Sequence, residues 1–204
     1  MSIRTIRLAL WGAVVVAALG LGGLFAWQSL KPRVNELGDL IAPTDTVGGP
    51  FTLKDQNGRV VTRDDLKGKP AAMFFGYTFC PDVCPTTLTE ATQWLKTLGA
   101  DADRLQVVFV SVDPERDTSE KLKEYLEAFD PRIRGLTGTP EQVAEIVKAY
   151  RVYARKVASG QTYLMDHTAT VYLMNAQQRF VGAINYQEPT DKALSKLRQL
   201  LARS

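Results

Sequence analysis

Two apolar segments separated by one helical pattern limit the fold of this chain more than any other feature. AAMFFGY at Ala71–Tyr77 and LQVVFVSV at Leu105–Val112 are short, continuously apolar and rich in β-forming residues, which is typical of strands buried on both faces. Between them, apolar residues recur at helical spacing from Leu88 to Leu98, and Gly99 is placed to end a helix. This order predicts a parallel strand–helix–strand crossover, and therefore an α/β domain.

The patterns around this unit predict further strands and helices. Two hairpins are predicted where strand-like segments flank short polar turns, at Phe51–Thr62 and Val171–Ile184. Three more helices are predicted behind capping residues, at Asp117, Thr139 and Thr190. The resulting order of elements is that of a thioredoxin-like α/β fold, in which helices cover both faces of one sheet.

The N-terminal segment has a different composition. From Leu8 to Trp27 there is no charged residue, and a helix of this length rises about 30 Å, which matches the hydrocarbon core of a membrane. A cleaved signal peptide begins in a similar way, but no small-residue cleavage site follows the apolar run. We therefore expect a cytoplasmic tail at 1–7, a transmembrane anchor at 8–27, a linker at 28–47 and a globular domain at 48–204 outside the membrane.

Charge and cysteine content exclude two classes of protein. The chain has 25 Lys and Arg against 22 Asp and Glu, and no basic run stands apart from acidic residues, so a nucleic-acid partner is not expected. With two cysteines in 204 residues, the chain cannot be a multi-disulfide scaffold.

Both cysteines lie in one motif, YTFCPDVCPTTL, directly after the first buried strand. Pro85 suits the first position of a helix, so Cys84 is predicted near the N-cap and Cys80 in the preceding loop. The helix dipole and the free N–H groups there favour thiolates. A structural disulfide across so small a loop would remove little unfolded-state entropy. The motif therefore indicates a redox pair or a metal site.

The only histidine of the chain, His167, precedes the penultimate predicted strand, which lies close to the cysteine loop in a thioredoxin-like sheet. Two thiolates and one imidazole suit copper, since soft sulfur tolerates Cu(I) and nitrogen suits Cu(II). Zinc would normally require a fourth ligand. Asp166 can supply that fourth ligand or hydrogen-bond to one of the ligands. A solvated acid in a loop is an equally good interpretation of Asp166.

Thioredoxin-type disulfide exchangers have C-x-x-C and a proline before the penultimate strand. Here the spacing is C-x-x-x-C, and Asp166-His167 stands where that proline would be. This difference argues against a general disulfide exchanger. Asp113 and Asp117, in DPERDT, are interpreted as turn and helix-cap residues rather than ligands. Three apolar groups either shield the site or belong to the core: Tyr77, Phe79 and Met165.

Four motifs together resemble the Sco/SenC family of membrane-anchored, thioredoxin-like copper proteins. They are YTFCPDVCPTTL, VSVDPERDT at Val110–Thr118, GLTGT at Gly135–Thr139 and the DHT of Asp166–Thr168, in the family's order. The resemblance implies copper ligation by Cys80, Cys84 and His167. The sequence departs from the family pattern at Ser119 and Thr168, neither of which is a ligand position.

The resemblance also implies a function and partners. A protein of this family is expected to deliver copper to the CuA site of cytochrome c oxidase subunit II, so its partners are that subunit, a copper donor and a thiol reductant. The alternative is an enzyme, a membrane-anchored thiol-disulfide reductase in which Cys80 and Cys84 are the redox pair. The expected location is the bacterial inner membrane, as a single-pass protein with its domain facing the periplasm or cell exterior.

Overall fold

The computed structural model describes Trp11 and residues 44–203. The strands of the described residues are β1 (Thr52–Asp55), β2 (Val60–Thr62), β3 (Ala71–Gly76), β4 (Gln106–Ser111), β5 (Ile133–Thr137), β6 (Ala154–Ser159), β7 (Thr162–His167), β8 (Val171–Met174) and β9 (Phe180–Ile184). The α-helices there are α1 (Val83–Leu98), α2 (Ser119–Leu126), α3 (Pro140–Ala149) and α4 (Thr190–Ala202).

A seven-stranded mixed sheet in the order β2-β1-β5-β4-β3-β8-β9 forms the centre of the domain. Strands β3, β4 and β5 are parallel, whereas β8 is antiparallel to β3 and β1 is antiparallel to β5. The predicted crossover β3–α1–β4 is therefore confirmed, and the carboxyl ends of β3 and β4 open onto one edge of the sheet. Such an edge is where open α/β sheets bind ligands.

Both faces of the sheet are covered, as the buried strands predicted. On one face, the rings of Phe74 and Phe109 stack, and Phe109 contacts Tyr125 of α2. Neighbouring residues in a strand point to opposite faces. Phe75 accordingly contacts Tyr150, which follows α3 on the other face.

The strands β6 and β7 form a separate two-stranded antiparallel hairpin. The sequence pattern predicted neither this hairpin nor β5. Most side chains of β6 and β7 are exposed or half-buried, so the segment lacks the apolar run that marks a buried strand. His167 is the last residue of β7.

The two predicted hairpins and the capped helix at Thr139 are confirmed. At the last helix, Thr190 is the first helical residue and makes no capping hydrogen bond, because the N-cap position belongs to Pro189. The predicted tail, the predicted anchor apart from Trp11, and most of the linker lie outside the described residues. Within the part of the chain that is described, no helix is long and apolar enough to cross a membrane.

Candidate metal centre

Strand β3 and helix α1 position the two cysteines at the carboxyl edge of the sheet. The chain leaves β3 at Gly76, and α1 begins at Val83, so Cys84 is the second helical residue and Cys80 lies in the loop. The sequence predicted Pro85 as the first helical residue with Cys84 near the N-cap, whereas the helix begins two residues before Pro85, at Val83. The helix can begin before Pro85 because backbone N–H groups in the first turn have no partner within the helix. The thiol of Cys84 is buried, whereas that of Cys80 is half-buried, and both are free.

His167 reaches the cysteines from the end of β7. Its Nε2 lies 3.4 Å from Cys84 Sγ, and its Nδ1 lies 3.1 Å from the carbonyl oxygen of Thr168. A proton on Nδ1 satisfies the contact with Thr168, and the lone pair of Nε2 then faces the thiols. The ring is held edge-on by Tyr77, with centroids 5.7 Å apart. This arrangement presents Nε2 as a donor atom.

The structure brings the three predicted ligands, Cys80, Cys84 and His167, into one cluster. Their donor atoms all lie within 4.8 Å of one another. Metal–sulfur bonds of about 2.3 Å would separate donors around one ion by about 4 Å, so the cluster needs little movement to bind a metal. Two soft sulfurs and one nitrogen fit copper.

Asp166 is not part of this cluster. It precedes His167 in β7, so its side chain points to the opposite face of the hairpin. Its carboxylate lies 3.5 Å from Arg155 Nη2, and both side chains are more than half exposed. The geometry fits the solvated acid better than a fourth ligand.

The two thiols have opposite pKa shifts. A hydrogen bond from Cys84 is the main cause that lowers the pKa of Cys80, and the backbone N–H groups of Asp82 and Cys84 act in the same direction. The neighbouring Cys80 and then burial raise the pKa of Cys84. The pair therefore holds one proton and one thiolate, and the thiolate is on the more exposed sulfur.

Gly76 is a site residue that the sequence analysis missed. A methyl group at this position would lie 2.6 Å from Cys84 Sγ and 2.7 Å from the ring of Phe109. Cys84 can pack at the end of β3 only because Gly76 has no side chain. A glycine at the end of an otherwise buried strand was the available signal.

Asp117 supports the cysteine loop instead of capping α2, so that prediction was wrong. Thr118 is the N-cap. The buried carboxylate of Asp117 accepts hydrogen bonds from the backbone N–H and the hydroxyl of Thr78, at 3.0 and 2.6 Å, and from the hydroxyl of Ser111 at 2.6 Å. Burial raises the pKa of Asp117, and these hydrogen bonds oppose the shift. Asp117 thereby ties the loop before Cys80 to the end of β4.

The three apolar groups near the motif have different roles. Tyr77 and Met165 are buried, and Tyr77 contacts the imidazole of His167. Phe79 is 53% exposed, so it does not belong to the core. Phe79 therefore presents an aromatic surface beside Cys80.

The fold and the cluster define a class of protein: a thioredoxin-like domain whose active edge carries a dithiol and an imidazole. Comparisons with known proteins identify the family within this class. The model of the SCO1/SenC family matches residues 41–202, and the chain belongs to this family. The family resemblance of the sequence is thus confirmed.

Individual relatives agree with this assignment. The chain is 38% identical to mitochondrial protein SCO2 of Saccharomyces cerevisiae over 205 residues, covering 96% of this chain and 68% of the relative. It is 44% identical to mitochondrial protein SCO1 of the same yeast over 151 residues, 71% of this chain, and spans about half (51%) of that relative. The structure of Bradyrhizobium japonicum ScoI with copper bound is similar, with a TM-score of 0.72, 50% identity, and coverage of 76% of this chain and 99% of that chain.

Proposed function

We propose that this protein is a copper metallochaperone that binds one copper ion through Cys80, Cys84 and His167 and delivers it to the CuA site of cytochrome c oxidase subunit II. The observation that carries the proposal is the convergence of these three donors within 4.8 Å at the carboxyl edge of the sheet. The copper ion is cargo, so the site has to bind it and also release it.

The thiol pair is suited to loading. Cys80 offers a thiolate without prior loss of a proton, because its pKa is lowered mainly by the hydrogen bond from Cys84. Cys84 has a raised pKa and releases its proton when the metal takes that proton's place. Copper loading therefore releases at least one proton, and acid opposes it.

Delivery is a ligand exchange. Cys80 lies at the accessible side of the cluster, and Cys84 is buried behind it. An incoming thiolate of the acceptor can bind the copper ion from the Cys80 side while Cys84 and His167 still hold it. The proposed partners are the oxidase subunit, a copper donor, and a thiol reductant, since a Cys80–Cys84 disulfide must gain two electrons and one proton to restore the thiolate–thiol pair that binds metal.

A histidine substitution tests the proposal directly. The reduced protein should bind one copper ion per chain, and its Cu(II) form should show an intense thiolate-to-copper absorption band. His167→Ala should weaken Cu(II) binding and abolish this band, because no other histidine in the sequence can replace the imidazole. An unchanged spectrum and stoichiometry would refute the ligand assignment.

A second candidate is a thiol-disulfide reductase that reduces the cysteines of the oxidase subunit. The asymmetry of the thiols favours it, since an accessible thiolate beside a buried thiol is the arrangement of an attacking and a resolving cysteine. Cys80 would form a mixed disulfide with the substrate, and Cys84 would then displace the reduced substrate, leaving the Cys80–Cys84 disulfide. Full rescue of oxidase assembly by His167→Ala, which keeps both thiols, would favour this enzyme over the chaperone.

We also propose that residues 8–27 anchor the protein in the bacterial inner membrane, with the domain on the periplasmic or outer side. The support is the twenty-residue uncharged run of the sequence. Alkaline phosphatase fused after residue 204 should be active in intact cells, and the fusion should sediment with membranes after a carbonate wash. An inactive fusion would refute the orientation.

A further inference from the structure

The β6–β7 hairpin, which carries His167, has few of the backbone hydrogen bonds and buried side chains that hold the other strands in the domain. Among the described residues, β6 and β7 pair with each other and not with the seven-stranded sheet. Within the hairpin, Met165 is the one buried residue. The position of the imidazole therefore depends on a small number of side-chain contacts.

Tyr163 makes the principal polar contacts on the inward face of β7. Tyr163, Met165 and His167 share this face because side chains alternate along a strand. The hydroxyl of Tyr163 donates a hydrogen bond to Asp113 Oδ1 at 2.8 Å, and its carbonyl accepts one from Arg116 Nη1 at 3.0 Å. Both partners lie in the loop between β4 and α2.

Arg116 contacts the hairpin and the cysteine loop at the same time. Its guanidinium carbon lies 3.7 Å from the ring centroid of Tyr163 and 4.7 Å from that of Phe79, next to Cys80. Its Nε pairs with Asp113 Oδ2. The guanidinium group thus stands between the two segments that carry the metal donors.

The charges of this cluster are largely removed from water. Asp113 has a fully buried side chain, and that of Arg116 is 18% exposed. A buried carboxylate is tolerated only while its partners remain in place, so Arg116 and Tyr163 are fixed to the β4–α2 loop. The second link to this loop, Lys156 with Glu115, joins two half-exposed groups and adds less.

We propose that Arg116 and Tyr163 are positioning residues that hold His167 over the thiols and so decide whether copper has three donors or two. This inference rests on the proposed function, since it assigns a role to the imidazole in metal binding. Arg116 and Tyr163 touch neither the metal nor the thiols. They act by fixing the hairpin whose last residue is His167.

Two substitutions test this role with Cu(II) and Cu(I) as probes. Tyr163→Phe removes the hydrogen bond to Asp113 but keeps the ring, and Arg116→Ala removes the whole contact. Both should weaken Cu(II) binding, by roughly ten- to hundredfold for Arg116→Ala, as is usual for groups that orient a ligand. Both should also reduce the imidazole-nitrogen coupling in the Cu(II) electron paramagnetic resonance spectrum. Cu(I) should still bind at one ion per chain, because Cys80 and Cys84 are unchanged.

Arg59→Ala is the matched control. Arg59 also pairs with a buried carboxylate, that of Asp55, but on the β1–β2 hairpin. The Arg59→Ala variant should bind both Cu(I) and Cu(II) as the parent protein does. The positioning role is overturned if Arg116→Ala and Tyr163→Phe bind Cu(II) like the parent protein. It is also overturned if they lose Cu(I) and Cu(II) to the same extent, or if Arg59→Ala has the same effect.

Amide hydrogen exchange of the metal-free protein distinguishes a failure of the positioning role of Arg116 and Tyr163 from a failure of the ligand role of His167. The amides of residues 162–167 should exchange faster in Arg116→Ala than in the parent protein, and this readout does not depend on copper. If exchange rises but His167→Ala binds Cu(II) normally, the ligand assignment of His167 fails, and Arg116 still holds the hairpin in place. If exchange is unchanged, the positioning role of Arg116 fails. Where Arg116→Ala does not fold, Tyr163→Phe alone decides by the same criteria.

Discussion

Cys80 and Cys84 are identical side chains whose thiol pKa values are shifted in opposite directions. The difference arises from position: Cys84 is buried on the first turn of α1, and Cys80 lies in the loop, where it accepts hydrogen bonds from Cys84. The sequence predicted activated thiols from the start of the helix. It did not predict which thiol keeps the proton, because that depends on how deeply each thiol is buried in the folded domain.

Alkylation should report this difference. For an ordinary thiol with a pKa of about 8.5, the thiolate fraction falls roughly 80-fold between pH 8 and pH 6. Since the pKa of Cys80 is lowered, its rate of reaction with iodoacetamide should fall by less than about twofold over this interval, and Cys84 should stay unmodified. The alkylation rate is measured at each pH, and mass spectrometry identifies which cysteine is modified.

Cys84→Ala is the informative control for alkylation. It removes the main cause of the shift, so the pH profile of Cys80 should move toward that of an ordinary thiol. A steep loss of rate in the parent protein below pH 8 would contradict the assignment of the thiolate to Cys80.

The absence of a side chain at Gly76 leaves the space that the Cys84 thiol occupies. Gly76→Ala would place a methyl group against Cys84 and Phe109, and such overpacking costs about 1–3 kcal/mol. We expect a lower free energy of unfolding in urea, and weaker copper binding because Cys84 is displaced.

Gly135→Ala is the matched control for Gly76→Ala. Its added methyl group would lie 2.7 Å from Leu126 Cδ1, against α2 instead of the metal site. This variant should be destabilised to a similar degree but should bind copper normally. Equal copper affinity in the two variants would show that Gly76 matters for packing alone.

At the scale of elements, the parts that sequence predicted best are those with a strong apolar pattern. Strands β3 and β4 and helix α1 have such patterns, and each of their boundaries was placed to within two residues. The hairpin β6–β7 has no such pattern, since polar contacts through Tyr163 and Arg116 hold it. His167 could still be predicted near the cysteines, because it precedes the penultimate predicted strand and lies in the DHT motif.

Asp117 shows how tertiary contacts override a local signal. Its spacing to Glu120 suggested a capping box, but Thr118 caps the helix, and Asp117 turns inward to Thr78 and Ser111. All three of these hydrogen bonds need an acceptor. Residues that are 39 positions apart in the sequence cannot be paired by a local pattern.

Asp117→Asn should therefore destabilise the element that presents the cysteines. The amide would place a donor where Asp117 now accepts hydrogen bonds, and leaving such buried groups unpaired costs about 1–3 kcal/mol. The midpoint of urea unfolding should fall accordingly. Glu127→Gln, at the exposed end of α2, should change stability by less than about 0.5 kcal/mol. Equal midpoints for the two variants would contradict the supporting role of Asp117.

At the scale of the whole molecule, the fold brings three distant segments to one edge of the sheet. The first is the loop after β3, the second the loop after β4 and the third the end of β7. The loop after β4 contributes no metal donor, but through Asp113, Arg116 and Asp117 it contacts both of the others. The positions of the three candidate donors and the stability of the domain are therefore linked at this loop.

The proposed membrane tether and the proposed metal site should be separable functions. The interactions that form the site lie within residues 74–168, so deleting residues 8–27 should leave copper stoichiometry and the Cu(II) spectrum unchanged. The same deletion should reduce cytochrome c oxidase assembly in cells, because the proposed acceptor is a membrane-bound subunit and a tether raises its effective concentration. Oxidase activity of membranes from a strain that carries only the variant measures this. Replacing residues 8–27 with an unrelated apolar span of equal length should restore activity. If the untethered protein supports full assembly at equal abundance, the proposed anchor has no role in delivery.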